Sequence, residues 1–281
     1  MSLPKAIAGA FPKRPPCMHK RTAGIVTVVG GSANFVNAPV IAGLGARSAG
    51  AGLVQLVVPE ASRIAAGALL PEATFFKCSP ECEPPKADVI AIGMGLGMSP
   101  ASRKLLSRIL SGNTGRFVVD ADALNILAKQ HAGKKKAFLP APGQEMIITP
   151  HAGEAARLLA ATPDEIERDR PAAVRALVER YHATAILKGH HTLVAAPGRK
   201  DIFMCEAGNP FMALGGMGDL LAGIVAARWA ATKNAFEAAC AGVWLHASAS
   251  DNLVNANPPE DPSLVNTAHA VASLRVILER S

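Results

Sequence analysis

Short apolar runs alternate with longer stretches of helical spacing along most of this chain. Ile25–Val29, Leu53–Val58, Asp88–Ile92, Arg116–Val119, Met146–Ile148 and Ala185–Leu187 are four to six residues long or shorter, rich in Val and Ile. Most of them end in glycine, aspartate or a Thr-Pro pair, as buried strands entering loops do. Between them lie segments read as helices: 38–51, with Pro39 in the first turn, then 103–110, 123–129 and a run ending at Leu159. Thr162-Pro163-Asp164-Glu165 is a capping box that opens another helix. Leu193–Ala196 and Ile202–Cys205 flank Pro197-Gly198 as the arms of a hairpin would. From Asp219 onward the pattern is helical over 219–231, 235–253 and 263–279.

Continuous apolar strands separated by helices predict an α/β fold, a mostly parallel sheet with helices on both faces. In such sheets the binding groups gather at the carboxyl ends of the strands. Residues 1–23, with Pro4, Pro12, Pro15 and Pro16, read as an irregular arm, and 24–281 as a single domain. Residues 1–23 are far too short for a second catalytic domain.

Composition narrows the function classes. The 281 residues are 49% hydrophobic and 18% charged, a globular balance. Aromatics make up only 4%, which argues against a stacking platform for single-stranded nucleic acid. The formal charge of +7 favours a small anionic ligand at long range. Lys134-Lys135-Lys136 reads as a solvated loop rather than a nucleic-acid patch. Five scattered cysteines (Cys17, Cys78, Cys82, Cys205, Cys240) form neither a zinc spacing nor a disulfide framework. No apolar run approaches the ~18 residues of a membrane span, and no signal-peptide core is present, so a cytoplasmic protein is expected.

The candidate chemistry lies in loops. Gly215-Gly216-Met217-Gly218-Asp219 stands at the mouth of an apolar helical run. Backbone N–H groups at a helix N-terminus suit a phosphate, and an aspartate there is expected to stay ionised and to accept a hydroxyl proton. A capped glycine turn is the alternative on these residues alone. Gly30-Gly31-Ser32 and Gly93-Met94-Gly95-Leu96-Gly97 are tight turns able to approach a ligand, but lack the dinucleotide fingerprint. Asp120 and Asp122 either bind a metal or a polar substrate or cap the helix that follows. His151 and Glu154 are spaced either for substrate and a magnesium-bound water or for capping the next helix. Lys188, followed by Gly189, His190, His191 and Thr192, offers a point charge for a phosphate after a strand. His246 and His269 fall in helical runs and read as packing or surface residues.

In this order the six motifs resemble the NAD(P)H-hydrate dehydratase family of the ribokinase-like superfamily, across about residues 25–278. That resemblance implies a ribokinase-like fold and repair of the S epimer of hydrated NADH or NADPH (NADHX, NADPHX). ADP, or ATP, would phosphorylate the hydroxyl left by hydration, and phosphate would then leave. Asp219 would be the base, and the N–H groups around Gly216 and Gly218 the anion hole. Ala38, Gly97, His151 and Asp219 would contact the hydrated dinucleotide; Lys188, Gly189, His190, His191, Thr192 and Gly218 would line the nucleotide. Glu154 would organise magnesium. A homo-oligomer, possibly a tetramer, and a separate epimerase acting on the same metabolite are also implied. The chain departs from the family pattern at Asn37, Met94, Phe211 and Leu214, and Leu214 cannot lend a hydroxyl to a phosphate. A ribokinase-like kinase of a small alcohol or vitamin precursor is the competing enzyme, and a nucleotide sensor without turnover the non-enzymatic reading.

Overall fold

A computed structural model describes residues 3–112, 115–131 and 140–280; the lysine triplet 134–136 lies outside them. The six expected strands are present as β1 (Ile25–Val29), β2 (Leu53–Val58), β4 (Val89–Ile92), β5 (Gly115–Val119), β6 (Gln144–Ile148) and β7 (Thr184–Leu187). An edge strand β3 (Thr74–Lys77) and the hairpin β8 (Thr192–Ala195) and β9 (Phe203–Cys205) complete a nine-stranded sheet in the order β3-β2-β1-β4-β5-β6-β7-β8-β9. Pairings from β3 through β7 are parallel and the hairpin is antiparallel.

Side chains of successive strand residues point to opposite faces, so the Val/Ile runs feed two separate cores. Val26, Val28, Val54, Leu56 and Val118 pack under α1 (Ala38–Ser48), α8 (Met217–Thr232), α9 (Ala235–Val254) and α10 (Leu264–Arg280). Val29, Val57, Ile92, Val119 and Ile148 pack under α3 (Pro100–Leu110), α4 (Asp122–His131), α5 (Ala152–Leu159), α6 (Pro163–Arg168) and α7 (Arg170–Tyr181). A further helix, α2 (Glu60–Leu69), packs against α1.

Three details differ from the sequence pattern. The helix opened by the Thr162 box stops at Arg168, because Asp169 caps a second helix with its side chain on the Ala172 N–H. The glycine-loop helix begins at Met217, two residues earlier than the pattern suggests, with Gly216 in the left-handed region (φ 92°) before it. The N-terminal arm carries one 3-10 turn, Lys5–Ile7, and inserts Ile7, Ala10 and Phe11 into the first core.

Packing fixes α8 closely. A Cβ at Gly223 would lie 1.8 Å from the Ala42 carbonyl oxygen, and one at Gly45 would lie 2.2 Å from that of Leu220. The backbones of α1 and α8 therefore touch, which sets where the first turn of α8 meets the sheet.

Candidate active site

Every strand-end loop singled out in the sequence opens on the rim above the parallel strands' carboxyl ends. Two groups of residues form there. In the first, the glycine turn after β4 meets the loop after β1: Gly95 sits against Phe35 and Ala38, and Gly97 faces Ser32. Gly97 has φ 76°, a left-handed conformation suited to glycine, and its N–H donates to Asp122 Oδ2 at 2.8 Å. Asp122 thus pins this turn to the start of α4 instead of capping the helix.

The second group converges on Lys188. Its ammonium donates to Asp120 Oδ1 at 2.8 Å and lies 3.8 Å from Glu154 Oε2. Both acids are buried, Asp120 to 1% exposure. A Cβ at Gly218 would stand 3.4 Å from the same ammonium, so the first turn of α8 faces it directly. Burial works to lower the Lys188 pKa, but Asp120 and Glu154, with Asp219 behind them, outweigh it and hold the ammonium above its ordinary value. Lys188 is a fixed positive charge.

Asp219 differs from its sequence expectation. Burial, reinforced by Asp120 and opposed by Lys188, pushes its carboxyl up to about 7. The helix terminus alone favours the charged form, but desolvation among acids wins. Its carboxyl therefore titrates near neutrality, where a general base is most effective.

His151 and Glu154 are engaged as the capping alternative foresees. The His151 ring accepts the Gly153 N–H at Nδ1, 3.0 Å, and Glu154 Oε2 accepts the His151 N–H at 2.9 Å. With Nδ1 accepting, Nε2 of the neutral ring carries the proton; it lies 3.6 Å from Glu154 Oε1. The cap does not remove His151 from the rim, because a backbone bridge joins it to Lys188.

Lys188, Gly189, His190, His191, Thr192 and Gly218, all expected on the nucleotide, line one cavity of about 570 Å³. His191 has φ 56° and stacks on His190 with ring centroids 3.9 Å apart. Behind the loop, Arg170 donates to the Leu187 and Lys188 carbonyls at 3.1 and 3.4 Å. Gly216 does not line this cavity; a Cβ there would meet Ile41, one turn into α1 from Ala38, at 2.9 Å. The site thus has a cavity of about 570 Å³ lined by Lys188 and a second group of rim residues around Ala38 and Gly97. Asp120 and Arg170 are the functional neighbours that sequence left unassigned. Asp120 stood in a visible strand-end carboxylate pair, whereas nothing in the spacing marked Arg170.

Among the described residues no group of three or more His, Cys, Asp or Glu side chains could hold a metal ion. Glu154 and Asp120 nevertheless offer hard carboxylate oxygens beside Lys188. That donor set fits a magnesium ion carried in with phosphates and water better than a closed protein cage.

Comparison with known proteins gives the same family as the motifs. A family model described as NAD(P)H-hydrate dehydratase matches residues 26–269. The chain is 40% identical over 247 residues to an ADP-dependent (S)-NAD(P)H-hydrate dehydratase of Neisseria meningitidis, covering 86% of this chain and 81% of the relative. It is 37% identical to a bifunctional NAD(P)H-hydrate repair enzyme of Coxiella burnetii, over 88% of this chain, and spans 49% of that protein. Among solved structures, a ribokinase-like superfamily protein of Enterococcus faecalis superposes with TM-score 0.83 at 25% identity, covering 98% of this chain and 95% of that one. The ADP/ATP-dependent NAD(P)H-hydrate dehydratase of Bacillus subtilis, crystallised with ATP and Mg2+, gives TM-score 0.83 at 24% identity, with the same coverages of 98% and 95%. The fold is ribokinase-like.

Proposed function

Because this chain belongs to the NAD(P)H-hydrate dehydratase family, we propose that it returns the S epimers of NADHX and NADPHX to NADH and NADPH. ADP is the proposed donor, with ATP as the alternative. The observation that carries this reading is the meeting of Lys188, Gly218 and Asp219 at the N-terminus of α8, with the ammonium facing Gly218.

The residues divide the chemistry. Ionised Asp219 takes the proton of the ring hydroxyl as its oxygen attacks the terminal phosphorus of the donor. The new O–P bond replaces the bridging O–P bond, and AMP leaves when ADP is the donor. Lys188 and the N–H groups around Gly216 and Gly218 stabilise charge on the transferring phosphoryl group. The C–O bond to phosphate then breaks, an adjacent ring carbon loses a proton, and the double bond is restored with release of inorganic phosphate. Ala38, Gly97 and His151 would hold the hydrated dinucleotide; the loop from Lys188 to Thr192 would hold the nucleotide. Glu154 would hold magnesium through a water, and the ion would neutralise phosphate charge. Self-association, an epimerase acting on the same metabolite and a cytoplasmic site of action complete the reading. No helix among the described residues is long and apolar enough to cross a membrane.

The test is to mix the protein with hydrated NADH and either ADP or ATP and follow reduced-nicotinamide absorbance. Recovery with one of them is expected. No recovery with either sinks the proposal, and a stable phosphorylated alcohol in its place would favour the kinase reading.

A further inference from the structure

Arg170 stands where a helix least favours a cation. It is the first residue of α7, directly after the Asp169 cap, and the positive end of a helix dipole repels a guanidinium. Its side chain is nonetheless only 14% exposed, and Glu167 accepts from Nη1 at 2.9 and 3.1 Å. A charge kept in place against local preference points to a role outside its own helix.

That role lies at the end of β7. Nη2 of Arg170 donates to the Leu187 and Lys188 carbonyls at 3.1 and 3.4 Å. A Cβ at Gly189 would stand 2.7 Å from Nη1 and 2.9 Å from Nη2, so the guanidinium lies against that glycine. The next carbonyl, that of Gly189, accepts the Thr192 hydroxyl at 3.1 Å. Three successive carbonyls of the loop are thus occupied by donors of this chain. The N–H groups are placed differently: that of Lys188 donates to the Pro150 carbonyl at 2.8 Å, whereas that of Gly189 has no partner among the described residues. Across a trans peptide the C=O and N–H point in opposite directions. Drawing the Lys188 carbonyl to Arg170 therefore sends the Gly189 N–H the other way. Gly189 is exposed and lines the same cavity as Lys188. A free N–H there suits a phosphate oxygen, which a carbonyl in its place would repel. Gly189 has φ 148° and, with no Cβ, leaves this peptide free to turn. Arg170 supplies the restraint.

Resting on the nucleotide site proposed above, we infer that Arg170 is a positioning residue of that site. It fixes the Lys188–Gly189 peptide with its carbonyl turned back and the Gly189 N–H presented to the phosphates of the donor.

The experiment is calorimetric titration of the intact protein, Arg170→Met and Arg170→Lys with ADP, pyrophosphate and adenosine. Loss of one hydrogen bond to a charged phosphate is expected to weaken ADP and pyrophosphate about tenfold in Arg170→Met, with adenosine binding unchanged. Arg170→Lys, which keeps a donor and the charge, should lose less. The dipeptide Lys-Gly occurs once in the sequence, so 13C-carbonyl lysine with 15N glycine isolates the Gly189 amide resonance. In the wild type, ADP and pyrophosphate should shift it and adenosine should not, a measurement that stands even if Arg170→Met fails to fold. Unchanged pyrophosphate affinity in Arg170→Met, equal weakening toward adenosine, or an unmoved Gly189 resonance would each overturn the assignment. The titrations contain no hydrated dinucleotide, so failure of the dehydration reaction would be seen separately from failure at Arg170. Absence of nucleotide binding by the intact chain would remove the site and the inference together.

Discussion

Asp219 shows how one residue's surroundings can override its local setting. Its place in the first turn of α8 favours ionisation, yet burial and Asp120 bring its carboxyl to about 7. A base must be deprotonated to act, and for this acid the deprotonated fraction falls as pH drops below 7. With ADP as donor, kcat/KM of the dehydration is therefore expected to fall about tenfold per unit well below pH 7 and to level off above it. A profile flat from pH 5 to 8 would remove Asp219 from the role. Asp219→Asn should lower kcat by about 10²–10⁴-fold, while calorimetry finds nucleotide binding retained. The sequence made Asp219 visible through the glycines around it. Its titration range was not legible there, because it is set by burial and by Asp120 and Lys188, which follow β5 and β7 and stand 99 and 31 positions before it in the chain. The carboxylate pair at 120 and 122 was visible too, but only contacts across the sheet divide its labour: Asp120 holds Lys188 and Asp122 holds Gly97.

At the scale of elements, the strands with continuous apolar sequence were legible because both of their faces are covered. The edge was not. β3 exposes Thr74, Phe76 and Lys77, and α2 buries only Ser62 and Ala66, so neither segment carries a strong pattern. The element that places the chemistry is α8, and its register depends on glycines that touch α1. Gly223→Ala would set a methyl group against the Ala42 carbonyl, which belongs to a rigid helix backbone. Overpacking of this kind costs ~1–3 kcal/mol or more, and separating the helices also moves Asp219 away from Lys188. Chemical denaturation should show the lost stability, and turnover should fall further than the unfolded fraction explains. Gly215→Ala is the control at this scale: nothing lies within 4 Å of a Cβ there and its φ is not positive. That variant should keep wild-type stability. If Gly223→Ala behaved like Gly215→Ala, the close α1–α8 contact would not be what sets the site.

Across the whole molecule, chemistry and bracing lie at opposite ends of α1. Its first turn carries Ala38 on the rim; its last residue, Ser48, ten positions on, reaches a buried charge cluster. There Arg228, fully buried, donates to Glu279 Oε1 at 2.9 Å and to the carbonyls of Ala49 and Ala10. Arg275 donates to Glu279 Oε2 at 2.6 Å and to Ser48 O at 3.0 Å, and Arg14 reaches the same carboxylate. One glutamate thus ties the N-terminal arm, α1, α8 and α10 together through three guanidinium groups. Sequence spacing marks only its i,i+4 pair Arg275–Glu279; Arg228 and Arg14 stand 51 and 265 positions from Glu279. Removing the carboxylate charge while the arginines stay buried is costly, ~3–5 kcal/mol for a broken buried pair. Glu279→Gln should therefore lower the thermal midpoint clearly. The rim, more than ten residues of helix away, should keep its affinity for ADP and its KM for hydrated NADH at temperatures where the variant is folded. An equal loss of stability and of ligand affinity would mean that the two ends are coupled through α1 and α8. Affinity preserved in a less stable protein would instead assign the cluster to holding the scaffold, leaving Lys188, Gly218 and Asp219 to act on a frame whose strength comes from elsewhere.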